Sequence, residues 1–247
     1  MPASDRPSER PSERRGAART AVVWDALLPA LGDEPTDVLD IGGGTGGFAV
    51  RVAELGHRVS VVDPSPDALA SLARRARERD VEVAGQQGDL STLRDITGRD
   101  SADVVLCHGV LEVVEDPAAA LATIREVLRP GGTLSLLVAQ RHAAVVARAM
   151  AGHFQQALAL LDPAGHRDGA HGRAGRRFSD DEAGALLEGA GFEVVSVHGV
   201  RVFADLVPGS LLDLEPGATA ALVELERAVS ERPEYLPLAT QLHLLAR

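Results

Sequence analysis

The sequence predicts an α/β fold built on a mostly parallel sheet with helices on both faces. Two patterns predict it. Short apolar runs of strand length alternate with stretches of helical periodicity over most of the chain. The first apolar run then passes directly into glycines, as "VLDIGGGTGGF" over Val38–Phe48. Such alternation implies successive βαβ units, whose parallel strands are covered on both sides.

The elements read in order as follows. Residues 18–31 have helical periodicity, and 36–41 form a short apolar strand that stops at the glycines. A helix over 46–55 leads to the strand "RVSVV" at 58–62. "SPDALASLARRARERD" starts with Ser-Pro, a helix-opening pair, and places Leu69, Leu72 and Ala76 on one side. Strands follow at 81–86 and 102–107, then a helix at 117–128, a turn at "RPGG" and a strand at 133–138. Residues 142–161 read as one helix containing Met150 and Phe154, and 162–178 as a Gly- and Arg-rich loop. A helix at 180–190 precedes the strand "FEVVSVH" at 192–198. "GVRVFADL" either extends that strand or forms a separate edge segment. A helix at about 216–231 and the strand "QLHLLAR" complete a set of seven strands.

Residues 1–16 repeat R-P-S-E-R and mix Pro, Ser and charge, which predicts a disordered tail. Residues 17–247 then make a single domain, with 140–178 and 200–237 as additions on the substrate side of a common scaffold.

Composition narrows the function classes. The chain has 247 residues and 45% apolar content, enough for a sizeable core. Its net charge is −11, and all 25 basic residues are arginine. Net negative charge opposes non-specific nucleic-acid binding, although a local basic patch can override it. Cys107 is the one cysteine, so an intrachain disulfide and a cysteine-based metal site are both excluded. No apolar run reaches the roughly 18 residues of a membrane span, and the N-terminus has no apolar signal core. A cytoplasmic protein without a metal is the expectation.

Gly42, Gly44 and Gly47 fit the spacing G-x-G-x-x-G of a dinucleotide turn. Glycine lets the backbone adopt positive φ and lie against a ligand, and a branched side chain at Gly42 would occupy that approach. Asp63 ends the second strand 21 residues after Gly42, where a carboxylate can accept both ribose hydroxyls. Up to this point NAD and S-adenosylmethionine are served equally. Asp40 separates them, because a carboxylate beside the glycines suits a cationic amino group, which only S-adenosylmethionine has there. "QGDL" after the third strand adds Gly88 and Asp89, an acid able to accept a bond from an adenine amino group.

The set "VLDIGGGTG", Asp63, "GDL" and "LRPGG", in this order, resembles the class I S-adenosylmethionine-dependent methyltransferases over about residues 19–139. The resemblance implies a Rossmann-like seven-stranded, mostly parallel sheet with S-adenosylmethionine as cofactor. Longer segments, "ARTAVVW", "CHGVLEVVEDP", "AMAGHF", "GVRVF" and "LHLLAR", are similar to the bacterial tRNA 5-carboxymethoxyuridine methyltransferases. That family methylates the carboxyl group of a modified wobble uridine. Its motifs imply that Arg19 contacts the methionine end of the cofactor. They imply that His108 lines the pocket, with Gly42, Gly43, Gly44, Asp63, Gly88 and Asp89 binding as described.

The chain departs from that family at three places. Ala139 and Gln140 stand where an aromatic residue and an amide are expected, and Val113 stands where the family carries Trp. The lysine-rich segment becomes "HRDGAHGRAGRR", four arginines in a glycine-rich loop. Arg173, Arg176 and Arg177 are the candidate contacts to RNA phosphates, and a solvated loop is the plainer alternative. His142 and Arg201 are candidate substrate contacts, although Arg201 lies between Val200 and Val202 and could simply point outward from a strand.

Each of the other assignments also has a plainer alternative. Asp63 could cap the helix from Ser65, Asp89 could be an exposed turn acid, and Asp40 could bond nearby amides. Arg19 could be an ordinary surface residue, and His108 could satisfy local bonds only. Cys107 reads as a buried strand residue and not as a nucleophile. A carboxylate acceptor needs no general base, whereas a hydroxyl acceptor would need one, with His108 or His142 as candidates. A methyltransferase for a small metabolite is the competing function, favoured by the acidic balance over residues 205–234. A non-enzymatic S-adenosylmethionine-binding module is a third.

Overall fold

The computed structural model describes residues 11–161, 175–212 and 217–247. In chain order the elements are α1 (Pro11–Leu31), β1 (Asp37–Ile41), α2 (Ala49–Glu54), β2 (Arg58–Asp63), α3 (Pro66–Glu78) and β3 (Val83–Gln87). Then come α4 (Leu93–Thr97), β4 (Ala102–His108), α5 (Pro117–Val127), β5 (Leu128–Ala139), α6 (Arg141–Met150) and α7 (Phe154–Leu161). The described chain continues with α8 (Asp180–Gly189), β6 (Val194–Val200), α9 (Gly209–Leu212), α10 (Ala218–Val229) and β7 (Gln241–Ala246).

The seven strands form one sheet in the order β3-β2-β1-β4-β5-β7-β6. The first five are parallel, and β7 runs antiparallel between β5 and β6. The carboxyl ends of β1, β2, β4, β5 and β6 therefore share one edge of the sheet. The order reverses at β1, and in an open parallel sheet ligands bind at such a switch point, beyond the carboxyl ends of the strands.

Alternation along each strand divides the core between the two faces. Leu39, Ile41, Val105, Cys107, Leu134 and Leu136 pack with α5 and α8 on one face. Val38, Val61 and Val104 pack with α1, α2 and α3 on the other. Side-chain caps position several helices: Ser65 accepts from Ala68 N, Asp116 from Ala118 N and Ala119 N, and Gln140 from Ala143 N. Ser179 and Glu182 form a reciprocal capping box at the start of α8.

The edge opposite the carboxyl ends is held by ions. Arg129 Nη1 lies 2.9 Å from Asp37 and 2.8 Å from Asp103, and Arg58 Nε lies 2.6 Å from Asp37. These contacts tie β1, β2, β4 and β5 together at their amino ends.

Several boundaries differ from the sequence expectation. α1 starts at Pro11, so the tail expected to be disordered over 1–16 is helical from that residue, and residues 1–10 lie outside the described ones. The expected 142–161 helix is two, broken at residues 151–153 where Gly152 takes φ +75°. The "RPGG" turn is absorbed into β5, because Leu128 already pairs with Ala102 before the register shifts to Val104–Thr133. α4 and α9 were not expected, since neither is long enough to carry a helical period.

Candidate active site at the glycine edge

β1 ends at Ile41, and the chain turns at once through Gly42 and Gly44, which take φ +65° and +56°. These left-handed conformations suit glycine because it has no Cβ. Gly42 N donates to Val62 O at 2.8 Å, which fixes the turn against β2. A Cβ on Gly42 would meet Val110 Cγ2 at 2.6 Å. A side chain there would therefore press on Val110 as well as occupy the ligand's approach. A Cβ on Gly44 meets nothing closer than 3.8 Å, so this part of the turn has room above it.

Asp40 shares the face of Val38, towards α1 and α2, and is only 3% exposed. A Cβ on Gly43 would lie 2.5 Å from Asp40 Oδ2, so the carboxylate sits directly under the glycine turn. Among the described residues no hydrogen bond reaches this carboxylate, from nearby amides or elsewhere. Burial, and secondly the charge of Asp63, push its pKa up from 3.8 to about 7.

Asp63 is buried at the end of β2. Its Oδ2 accepts from Gly44 N at 2.9 Å and its Oδ1 from Ser65 N at 2.8 Å. The carboxylate thus joins the glycine turn to the start of α3, and the helix-cap alternative describes half of what it does. A carboxylate offers about four acceptor positions, so two remain for hydroxyls. Gly88 N donates to Asp63 O at 3.2 Å, which brings the third-strand turn to the same edge. A Cβ on Gly88 would collide with Ile96 and lie 2.9 Å from Thr92 Oγ1, so this glycine is required by the close approach of α4. Asp89 is exposed, and its Oδ1 accepts from Ser91 N (2.9 Å), Ser91 Oγ (2.6 Å) and Thr92 N (3.2 Å). These bonds, led by the one from Ser91 Oγ, hold its carboxyl below the usual range. Its other oxygen is left outside this turn.

His108 ends β4 beside the glycine turn. Its ring lies edge-on to Phe48, with centroids 5.0 Å apart, and Phe48 in turn meets Trp24 at 6.0 Å. Its Nε2 is 2.9 Å from Ser135 Oγ. Cys107, next to it, is fully buried, and burial pushes its thiol pKa up, so it is not a nucleophile. Arg19 lies on α1, with its side chain outside the described part.

The remaining described candidates bond to groups other than the glycine turn. His142 is exposed at the start of α6, with Nδ1 3.4 Å from Gln140 Nε2. Arg201 is not on a strand: it takes φ +58° just after β6, donates from Nε to Thr240 Oγ1 at 3.0 Å and pairs with Asp205 at 2.9 Å. Arg173 lies outside the described residues. Arg176 donates to the Val114 and Glu115 carbonyls at 3.2 and 3.3 Å. Arg177 is half-buried, and its Nη1 reaches Gln140 O only at 3.5 Å. Among the described residues no group of three or more ligating side chains could hold a metal, and no helix is long and apolar enough to cross a membrane.

Two groups at this edge carried no recognisable sequence signal. Glu112, in the loop after β4, accepts from Ala139 N at 2.7 Å and so ties that loop to the end of β5. Glu226 on α10 is fully buried and accepts from Val202 N, Phe203 N and Ala204 N at 2.7–2.8 Å. It pins the turn that carries Arg201.

Comparison with known proteins agrees with this geometry. A methyltransferase domain model matches residues 13–197. The chain is 31% identical over 246 residues to the tRNA 5-carboxymethoxyuridine methyltransferase of Escherichia coli (strain K12), covering 94% of this chain and 89% of that protein. It is 32% identical over 130 residues to a ubiquinone biosynthesis O-methyltransferase of Xanthomonas campestris pv. campestris (strain B100), covering 52% of each. In fold it is similar to an S-adenosylmethionine-dependent methyltransferase from Mesorhizobium loti, with a TM-score of 0.61 at 20% identity, covering 95% of this chain and 99% of that one. With the glycine turn, the acids around it and the strand order all in place, the chain belongs to the methyltransferase domain family, as a class I S-adenosylmethionine-dependent methyltransferase.

Proposed function

We propose that the chain transfers a methyl group from S-adenosylmethionine to the carboxylate of a modified uridine at the tRNA wobble position. Likeness to the E. coli tRNA enzyme over nearly the whole chain supports this acceptor. The observation that carries it is Arg177, a half-buried guanidinium beside the end of β5 with no carboxylate within ion-pair distance among the described residues. Burial and then the charge of Arg148 work against its positive charge, and Glu112 answers it only at longer range. A partly desolvated cation without an ion-pair partner is costly and is stabilised by an incoming anion.

The glycine edge fits the cofactor. Asp63 has acceptor capacity left for ribose hydroxyls, Asp89 has an oxygen free of its turn for an adenine amino group, and Gly88 holds that turn close. Gly42, Gly43 and Gly44 give a cradle, Asp40 beneath them offers a carboxylate without a donor, and His108 at the end of β4 would flank the methionine side, with Arg19 assigned there by family resemblance alone. When bound, S-adenosylmethionine supplies a methyl group already activated by its sulfonium. Asp63 and Asp89 would hold the adenosine end at β2 and β3, and Arg177, beside the end of β5, would orient the acceptor carboxylate. Orientation of this kind contributes up to roughly 7–11 kcal/mol in favourable cases.

Asp40 makes cofactor binding depend on pH. The cofactor's cationic amino group pairs with the ionised form, whereas the free protein keeps the proton up to about pH 7. Affinity is expected to rise about tenfold per pH unit between pH 5 and 7 and then to level off, as measured by calorimetry. The folded chain holds this proton where the unfolded chain has lost it, so the group's contribution to stability falls as pH rises from about 4 to about 7. Asp40→Asn should remove the pH dependence of affinity; a dependence left intact would show that Asp40 does not meet the amino group.

Incubation with methyl-labelled cofactor and separate pools of tRNA and small metabolites tests the acceptor. Label is expected in tRNA as a base-labile ester, with tRNA binding weakened by salt through Arg173 and Arg176. Arg177→Ala should raise KM for the acceptor about 10- to 150-fold, the equivalent of roughly 1.5–3 kcal/mol for a bond to a charged group, with cofactor affinity unchanged. Label confined to small molecules would replace this reading with a second one, a small apolar acceptor. One observation favours that second reading: Met150, Phe154, Leu158 and Leu161 leave an exposed apolar face on α6 and α7.

A further inference from the structure

One short loop touches both the glycine turn and the segment that carries Arg177. It runs between β4 and α5. Gly109 N donates to Leu137 O at 2.8 Å, so the loop starts against β5. Val110 packs on the glycine turn, since a Cβ on Gly42 would lie 2.6 Å from its Cγ2. Glu112 O accepts from Arg176 N at 2.8 Å, and the Arg176 guanidinium reaches the Val114 and Glu115 carbonyls at 3.2 and 3.3 Å. Gly175 takes φ +66°, and a Cβ there would lie 3.3 Å from both Cβ and O of Glu112.

The Glu112 side chain closes this junction. β4 ends at His108, paired with Leu137, and β5 runs on to Ala139 beyond that last partner. There Glu112 Oε1 takes the place of a strand carbonyl and accepts from Ala139 N at 2.7 Å. Ala139 O accepts from Phe178 N at 2.9 Å, and Arg177 Nη1 lies 3.5 Å from Gln140 O. Ala139 thus binds the loop through its N–H and the arginine segment through its carbonyl.

We propose that Glu112 is a positioning residue. Through Ala139 it holds the 175–178 segment against the loop that packs on Gly42, and so sets how far Arg177 presents the acceptor from the methyl donor. The proposal rests on Arg177 as the residue that meets the acceptor. In the transfer one C–O bond forms as one C–S bond breaks, the electron pair stays on sulfur, and no proton moves from a carboxylate. The reacting atoms must start about 3–3.5 Å apart and in line. A side chain that fixes the spacing of the two half-sites therefore acts on the rate without touching either reactant. Its contribution lies in the bond it accepts from Ala139, which a glutamine oxygen can also accept.

Hydrogen exchange of the full chain, without cofactor or acceptor, reads the junction itself. Glu112→Ala is expected to speed exchange at Ala139, Arg176 and Phe178 by about tenfold or more, and Glu112→Gln to stay near the wild type. Unchanged exchange at Arg176 and Phe178 in the alanine variant would overturn the proposal. Single-turnover transfer from methyl-labelled cofactor, to whichever acceptor takes the label and at saturation, reads the rate. In Glu112→Ala the rate should fall roughly 10- to 100-fold at undiminished amplitude, because a misplacement of about 1 Å can cost about 100-fold. A merely structural role would lower the amplitude and leave the rate alone; that result, or an equal loss of rate in Glu112→Gln, rejects the positioning role. If Glu112→Ala does not fold, Gly175→Ala asks the same question, because its Cβ presses Glu112 away from the segment. Its rate should fall as well, and a wild-type rate there counts against the proposal. Label found only in small molecules would remove the tRNA reading, while the exchange result would still decide the junction, so the two fail separately.

Discussion

Glu226→Ala is expected to lower the unfolding free energy by roughly 3–6 kcal/mol, read from urea denaturation. Three backbone N–H groups, on Val202, Phe203 and Ala204, converge on this one fully buried carboxylate. Each buried donor left without an acceptor costs about 1–3 kcal/mol, and their sum is blunted where water enters the space left behind. A typical total stability is about 5–15 kcal/mol, so the variant should be close to the threshold of folding. Glu226→Gln keeps one acceptor oxygen but turns an NH2 group towards a donor, and an intermediate loss is expected. A loss below about 1 kcal/mol for the alanine variant would mean that the turn after β6 finds other partners. The same turn carries Arg201 in its left-handed conformation, so loosening it should also disturb the pairing with Asp205 and Thr240.

Asp63→Ala is expected to weaken S-adenosylmethionine binding at least 10- to 150-fold, the equivalent of roughly 1.5–3 kcal/mol for lost bonds to a charged group. The structure adds a second loss. Gly44 N and Ser65 N both donate to this carboxylate, so its removal also frees the glycine turn from the start of α3. Asp63→Asn retains one acceptor oxygen and should fall between the two. Calorimetry with S-adenosylmethionine and with its demethylated product measures the effect. Equal affinities in the wild type and the alanine variant would place the ribose elsewhere.

Legibility in the sequence depended on how local the cause was. The seven strands and the glycine turn could be read because alternation and glycine spacing are properties of neighbouring residues. Asp63 could be read for the same reason, since its position follows from the strand that ends at it. Its double bond to Gly44 and Ser65 could not, because it depends on how two turns meet in space. Arg201 was misread because flanking valines imitate a strand, whereas the backbone there turns left-handed to satisfy Thr240 and Asp205. Arg176 resembled its neighbours in a basic loop, yet its guanidinium reaches back to carbonyls some sixty residues earlier in the chain. Glu226 and Glu112 were invisible for the same reason: their partners are 22–24 and 27 positions away.

The sheet order also sets a schedule for synthesis. β6 bonds to no strand but β7, and β7 is reached only about 40 residues later. β1 to β5 can pair as they emerge from the ribosome, because each finds a neighbour among strands already made. β6 cannot: at roughly 5–20 residues per second it waits about 2–8 s for its partner. During that interval the nascent chain exposes an unpaired strand and the open side of β5, both ready templates for a neighbouring chain. The glycine edge proposed for the cofactor, at β1, β2 and β4, is assembled before this, so by that proposal a stalled chain binds S-adenosylmethionine well before the Arg201 turn and β7 exist.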